Sequence, residues 1–114
     1  MQILDEKDNL IKSDMAQFET AFYEPSLWQG KYIGLAIASA GVIQFRRRVF
    51  IKKNVLKARV YLAAGGFAEL WLNGRRITQN VLEPANTDYN KHVYYNTYDV
   101  TDALLNGEYN ALGV

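Results

Sequence analysis

A tight hairpin is predicted by the stretch Leu70-Trp71-Leu72-Asn73-Gly74-Arg75-Arg76. Residues that favour β-structure run directly into Asn73-Gly74, and both of these tolerate the positive φ angles of a two-residue hairpin turn. Successive side chains of a strand point to opposite faces. We therefore expect Leu70 and Leu72 to lie in a hydrophobic core and Trp71 to lie on the opposite face.

Patterns of extended structure lie on both sides of this hairpin. Apolar and polar residues alternate between positions 56 and 64, which predicts a strand with one face in the core. The two faces of Val42–Ile51 mix apolar and charged residues, which predicts a bulge or an edge position. The remaining predicted elements are a hairpin turning at Asp8-Asn9, strands at Ala16–Phe22, Trp28–Ile37, Phe67–Asn73, His92–Tyr98 and Glu108–Val114, and one helical turn with Thr101 as its N-cap.

Short strands separated by turn signals every 8–12 residues or so, with almost no helix, are typical of an antiparallel β-sandwich. The fold class that we predict from these signals is therefore all-β, an antiparallel β-sandwich. At 114 residues the chain has room for one domain.

Composition excludes several classes of function. The hydrophobic fraction of 49% and the net charge of +1 are ordinary for a globular protein and favour no acidic partner. The chain has no cysteine, which excludes disulfides and thiolate metal sites. No apolar run reaches membrane-spanning length, and acidic residues stand where an export signal would be apolar. We expect no membrane partner and no signal peptide in this chain, and the compartment stays open.

The charged and ionisable residues predict no catalytic centre. Arg46-Arg47-Arg48 could contact phosphates, but successive strand residues face opposite ways, so we expect no nucleic-acid partner. His92 is the only histidine, which excludes multi-histidine metal sites. The late carboxylates could supply a glycosidase pair, but hydrogen bonds to the free N–H groups of a helical turn explain Asp99 and Asp102 well enough. We predict no catalytic residue and no metal ligand.

Aromatic residues offer a second hypothesis, because flat rings stack on the apolar faces of sugars. The tyrosines Tyr95 and Tyr98 belong to this group, but the preference of tyrosine for strands favours cross-strand pairs and core for most of its members. The predicted carbohydrate-binding residues are Trp71, Asn86, Asp88, Tyr89 and Tyr94. No cofactor is expected, although oxygens of Asn86, Thr87, Asp88 and Asn90 could ligate calcium.

A series of motifs in a fixed order resembles the N-terminal β-sandwich domain of bacterial α-L-rhamnosidases. The similarity covers roughly residues 28–114, and its specificity lies in the order of the pieces. The motifs are Phe45-Arg46-Arg47, Lys57–Leu62, Leu70–Ile77, Leu82-x-Pro84-x-x-Thr87-Asp88-Tyr89, Tyr95-x-Thr97–Thr101 and Gly107-x-x-Asn110–Val114. Ala85-Asn86 replaces the Gly-Trp that is usual in the family, so one aromatic that could contact sugar is missing.

The resemblance also predicts a domain organisation. Phe18-Glu19-Thr20 resembles the end of the fibronectin-III-like domain that often precedes this sandwich, as does Trp28-x-x-x-Tyr32-Ile33-Gly34. We expect residues 1–23 to be tail strands of such a domain, 24–27 a linker, and 28–114 the sandwich. The resemblance implies a jelly-roll-like sandwich similar to a carbohydrate-binding module. The family continues beyond Gly113-Val114 into further strands, so we expect an incomplete segment, truncated at its C-terminal end.

In this family the resemblance implies inverting hydrolysis of terminal α-L-rhamnosides by carboxylates on a separate (α/α)6 barrel, no part of which is seen in this sequence. Two hypotheses follow. The chain could be a non-catalytic segment that packs against other domains of its parent enzyme, or a carbohydrate-binding module for rhamnose-containing glycans. Fold-level analogy does not choose between them. We expect no hydrolysis by this chain alone.

Overall fold

The computed structural model describes residues 2–35 and 41–114. Contacts between Cα atoms divide the chain into two compact units, Met1–Lys31 and Tyr32–Val114. The assignment of residues 1–23 to the end of a fibronectin-III-like domain stays a prediction. No helix among the described residues is long and apolar enough to cross a bilayer.

The first unit is built on a short hairpin. Strands β1 (Gln2–Leu4) and β2 (Leu10–Lys12) pair antiparallel, and Asp8 in the turn has a φ of 60°. The Asp5 carboxylate accepts hydrogen bonds from the Asn9 side chain and from the backbone N–H groups of Asn9 and Lys7, at 2.8–3.0 Å. These bonds lower the pKa of Asp5. The predicted hairpin at Asp8-Asn9 is confirmed.

The strand predicted at Ala16–Phe22 is wrong. These residues have no ladder partner among the described residues, and all but Phe22 are exposed. Alternation stabilises a strand only where a partner satisfies its backbone groups and a core covers one face. Instead the Phe22 ring contacts the edge of Trp28, 6.1 Å between centroids, beside a 3₁₀ turn at Pro25–Leu27.

The described residues of the second unit, 32–35 and 41–114, form two antiparallel sheets. Strands β3 (Arg46–Phe50), β4 (Arg59–Ala63), β5 (Trp71–Leu72), β6 (Arg75–Arg76), β7 (Tyr95–Asp99) and β8 (Tyr109–Gly113) follow in chain order. One sheet has the order β3-β8-β5-β6 and the other pairs β4 with β7. Both pack against one cluster of buried side chains, Leu70, Leu72, Tyr98 and Val100. The predicted all-β antiparallel fold is confirmed, and it is consistent with a β-sandwich segment.

The hairpin at Asn73-Gly74 forms as predicted. Both turn residues have positive φ, 53° and 80°, and β5 pairs with β6 across them. Leu70 and Leu72 are 0% and 3% exposed, whereas Trp71 on the opposite face is 41% exposed. Strand β5 is shorter than the predicted strand Phe67–Asn73 and begins only at Trp71. The backbone N–H of Ala68 donates to the carbonyl of Glu83 rather than to a neighbouring strand.

Other boundaries also differ from the sequence patterns. Strand β3 lies at the edge of its sheet, which fits the mixed polarity of its two faces. Residues 28–35 form no strand, and the rest of the predicted strand Trp28–Ile37 lies outside the described residues. Thr101 is the first residue of the 3₁₀ turn Thr101–Ala103 rather than its N-cap, because Val100 occupies the cap position.

A buried amide joins the hairpin to β8. Asn110 is 2% exposed, and its Oδ1 accepts from the Asn73 side chain and from the backbone N–H of Leu105, both at 2.8 Å. Its Nδ2 donates to the carbonyl of Leu105 at 2.9 Å. Asn73 in turn accepts a hydrogen bond from the backbone N–H of Ala111 and donates one to the carbonyl of Ala103. Two side chains therefore hold three segments together.

Replacement of this amide is expected to destabilise the fold strongly. Asn110→Ala removes the hydrogen-bond partners of the backbone N–H and carbonyl of Leu105 and of the Asn73 side chain, and it empties a buried position. The free energy of unfolding should therefore fall by about 2 kcal/mol. Urea denaturation followed by tryptophan fluorescence measures it. The matched control is Asn54→Ala, an exposed asparagine for which we expect a change within about 0.5 kcal/mol. Equal effects of the two substitutions would contradict the assigned role of Asn110.

Candidate functional site

The segment 84–94 carries four of the five residues predicted to bind sugar. The Tyr89 hydroxyl donates to Asn86 Oδ1 at 2.7 Å. The backbone carbonyl of Asp88 accepts from the N–H groups of Lys91 and His92, at 2.8 and 3.1 Å. The His92 ring lies 5.3 Å from that of Tyr94. Local contacts therefore join Tyr89 to Asn86 and, through His92, Asp88 to Tyr94, and the residues Tyr89 and Tyr94 are 40% and 53% exposed.

Oxygens of Asn86, Thr87 and Asp88, three of the four residues considered for calcium, already have partners within this segment. Asp88 Oδ2 lies 3.2 Å from Lys91 Nζ, and Asp88 Oδ1 accepts the N–H of Asn90 at 3.2 Å. The Thr87 hydroxyl donates to the carbonyl of His92 at 2.6 Å. Within residues 2–35 and 41–114, no group of three or more His, Asp or Glu side chains is placed to hold a metal ion.

Trp71 lies at a different place from the other four predicted residues. It lines an open cavity of about 780 Å³ on the second unit, and none of Asn86, Asp88, Tyr89 and Tyr94 does. The structure therefore separates the predicted site into a tyrosine-bearing segment and a cavity beside Trp71. Apolar side chains from three other segments share that cavity, among them Phe45, Phe67 and Leu82.

Sequence patterns did not identify the neighbours of Trp71. Gly113 of β8 pairs directly with Trp71 of β5, and Arg46 of β3 pairs with Gly113, so the three residues form one row across three strands. All three line the cavity. Nothing in the sequence indicates this row, because it depends on the order β3-β8-β5 and on the register of both pairings.

Two of the candidate aromatics belong to the core and to cross-strand contacts, as the alternative interpretation predicts. Tyr98 is 7% exposed, and its hydroxyl donates to Glu83 Oε2 at 3.1 Å. Burial raises the pKa of Tyr98. Tyr95 of β7 packs its ring edge against Tyr61 of β4, with 6.0 Å between centroids.

The late carboxylates have structural partners. Asp99 Oδ1 accepts hydrogen bonds from the Thr101 hydroxyl at 2.7 Å and from its backbone N–H at 3.0 Å. Arg59 on β4 forms a salt bridge with Asp99 Oδ2. The Thr101 hydrogen bonds, with a smaller contribution from Arg59, lower the pKa of Asp99 to about 2. A glycosidase general acid needs a raised pKa, so Asp99 is unsuited to that role.

Comparison with known proteins identifies the second unit. The family model described as the alpha-L-rhamnosidase N-terminal domain matches residues 53–114, more than half of the chain. The chain belongs to this family. An alpha-L-rhamnosidase of Formosa agariphila is 34% identical over 113 residues, which is 90% of this chain and 12% of that protein. Another from an Alteromonas species is 36% identical over 112 residues, 89% of this chain and 12% of that protein.

A solved structure supports the same family. The alpha-L-rhamnosidase from Dictyoglumus thermophilum is 44% identical, covers 61% of this chain and matches it with a TM-score of 0.56. This chain covers 8% of that one, and it spans at most 12% of the length of the curated relatives described above. The predicted resemblance to the rhamnosidase N-terminal domain is confirmed.

Asp99 should make stability depend on pH in acid. The folded pKa of Asp99, about 2, lies below the ordinary aspartate value of 3.8, so the ionised carboxylate stabilises the fold above pH 3.8 and this contribution is lost as pH falls toward 2. Asp99→Asn should therefore be less stable than wild type near neutral pH, with a difference that shrinks through this window. Urea denaturation at a series of pH values measures it.

The control for this experiment is Asp102→Asn, which removes the same charge three residues further on. No described residue donates a hydrogen bond to the Asp102 carboxylate, so its substitution should have little effect at any pH in the series. A difference between wild type and Asp99→Asn that persists undiminished in acid would contradict the assignment.

Proposed function

We propose that this chain is a non-catalytic β-sandwich segment of a longer α-L-rhamnosidase, in which it packs against other domains. The observation that carries the proposal is the family match over residues 53–114 in a chain that spans 12% or less of the rhamnosidases it matches. Those relatives are named α-L-rhamnosidases, and the greater part of each lies outside the region of similarity.

The surface of the second unit supports a role in packing. Several large apolar side chains are widely exposed, including Val42 at 92%, Leu56 at 93% and Leu82 at 68%. Exposed apolar surface of this kind is typical of regions that contact another domain or a partner. Asp88 and Asp99 are held by Lys91 and Arg59 in ion pairs. Such contacts suit a structural role for both carboxylates.

A hydrolysis assay tests the first half of this proposal. The 114-residue chain should release no aryl alcohol from an aryl α-L-rhamnoside above the uncatalysed rate. An inverting glycosidase needs two carboxylates at its substrate, whereas Glu69 is the one acidic side chain among the described residues that line the cavity of about 780 Å³, and it is paired with Arg76. Asp88→Asn and Asp99→Asn serve as matched variants. Release by the wild-type chain that is lost in either variant would contradict a non-catalytic role.

A second candidate function is carbohydrate binding, with rhamnose-containing glycans as ligands. The observation in its favour is the exposure of three aromatic residues of the predicted site, Trp71, Tyr89 and Tyr94, at 41%, 40% and 53%. Aromatic rings that water can reach are available to stack on the apolar face of a pyranose. The Asn86 and Asp88 side chains could add polar contacts beside Tyr89.

Titration with methyl α-L-rhamnoside, followed by amide chemical shifts, tests this candidate. Shifts confined to residues 84–94 would support the tyrosine-bearing segment, and Tyr89→Ala should then weaken binding severalfold. Tyr23→Ala is the matched control, because Tyr23 is an exposed tyrosine of the first unit at 81%. The absence of any shift at millimolar sugar would remove rhamnose binding and leave the packing role.

A further inference from the structure

The row Arg46-Gly113-Trp71 forms a slot on the outer face of the four-stranded sheet. Neighbouring strands lie about 4.8 Å apart, so the backbones of Arg46 and Trp71 are separated by about 10 Å with a glycine between them. Ala111, two residues before Gly113 on the same face of β8, also lines the cavity. Small residues therefore form the floor, and a guanidinium and an indole flank it.

The floor of the slot has room for an added atom. A Cβ built on Gly113 would meet its nearest heavy atoms at 3.6 Å, on Trp71 Cβ, and at 3.8 Å, on the Phe45 carbonyl oxygen. Both are ordinary van der Waals distances. The glycine is therefore not required by close backbone packing, and the open space above it belongs to the cavity of about 780 Å³.

Among the described residues of this face, Arg46 is a cation that remains available to a ligand. The Arg48 guanidinium lies 4.4 Å from the centroid of the Tyr109 ring. Arg76, on the other side of Trp71, is bound to Glu69 Oε1 and to the carbonyl of Asn80, both at 2.8 Å. Arg46 is exposed and has no ion pair or hydrogen bond from its side chain to another described residue.

We propose that this slot binds an acidic saccharide, with the pyranose ring stacked on Trp71 and its anionic group held by Arg46. The inference rests on the proposed carbohydrate-binding function. It names the class of ligand and places the binding site at the slot rather than at residues 84–94. A guanidinium presents paired N–H donors that match a carboxylate or sulfate bidentately. The indole supplies a flat apolar face and an N–H donor that no described residue engages.

The charge of the site discriminates between neutral and acidic sugars. Glu69, the acidic residue that lines the cavity, is neutralised by its salt bridge to Arg76, whereas Arg46 has no such counterion. An acidic sugar supplies that counterion and gains from the attraction. A neutral sugar of the same shape gains only the stacking contribution.

A pair of ligands that differ in one group tests the proposal on the full 114-residue chain. Methyl glucuronide carries a carboxylate where methyl glucoside carries a hydroxymethyl group. We expect the glucuronide to shift the Trp71 indole and the Gly113 amide resonances, with roughly fivefold tighter binding than the glucoside at low salt. Added salt should reduce the difference. Glucose 6-sulfate distinguishes the two anionic groups and should bind at the same resonances.

Three variants locate the interaction. Arg46→Gln should bring glucuronide affinity down to that of the glucoside, whereas Arg47→Gln removes the same charge from the opposite face of β3 and should change it little. Gly113→Ala fills the floor of the slot without a backbone clash, so it should weaken both sugars while the unfolding midpoint is retained.

The possible outcomes separate this inference from the function on which it rests. Equal affinity for glucuronide and glucoside at the slot would overturn the acidic specificity and keep carbohydrate binding. Binding of either sugar only at residues 84–94 would overturn the slot as the site. Inorganic sulfate that shifts the same resonances as strongly as the glucuronide would also overturn it, because the sugar ring would then contribute nothing. Shifts at the slot that depend on Arg46 and not on Arg47 would support it.

Discussion

The paired amides of Asn73 and Asn110 are the contact on which the second unit depends. Strands β5 and β6 have two residues each, too few for their ladder bonds alone to hold a sheet together. The Asn73 side chain bonds across to β8 and to the carbonyl of Ala103, while Asn110 satisfies both backbone groups of Leu105. Because Asn110 is buried, the bonds that it makes to Leu105 are partly shielded from water, and their loss leaves polar groups without partners. A local turn is thereby fixed to the last strand and to the 3₁₀ turn.

Hydrophobic burial complements this polar attachment on the inner face of the sheet. Leu72 of β5 pairs with Leu112 of β8 and belongs to the buried cluster. Leu112 packs against this cluster, as do Val60 and Leu62 of β4 in the other sheet. Tyr98 joins the two kinds of contact, since its ring is in the core and its hydroxyl donates to Glu83. The loop that contains Pro84 is thus tied to β7. A rigid inner face of this kind leaves the outer face and the loops free to vary in chemistry.

The two faces of β5 therefore have different roles. Leu72 contributes to the core, while Trp71, one residue earlier, contributes to an open cavity on the other side. Strand β5 lies within the region that matches the rhamnosidase N-terminal domain. It also carries Trp71, which shares a row with Gly113 and Arg46. A core role and a binding role are compatible in this strand, because Leu72 and Trp71 lie on its opposite faces. The tyrosines of segment 84–94 form a separate surface with its own internal hydrogen bonds.

The sequence by itself determined the features that depend on neighbouring residues. Positive φ at Asn73 and Gly74, the opposite faces of Leu72 and Trp71, and the inward face of Val60 and Leu62 all follow from local backbone preference and from side-chain alternation. The ordered motifs also determined the family.

Only the tertiary structure decided which strands pair and in what register, since those choices depend on residues far apart in the chain. In the structure, Ala16–Phe22 has no ladder partner among the described residues. Strand β5 begins only at Trp71, because Ala68 bonds to Glu83. Gly113 lies between Arg46 and Trp71. Trp71 is separated from the other four predicted sugar-binding residues for the same physical reason. Alternation along a strand specifies the face on which a side chain lies, whereas long-range pairing decides which residues are its neighbours on that face.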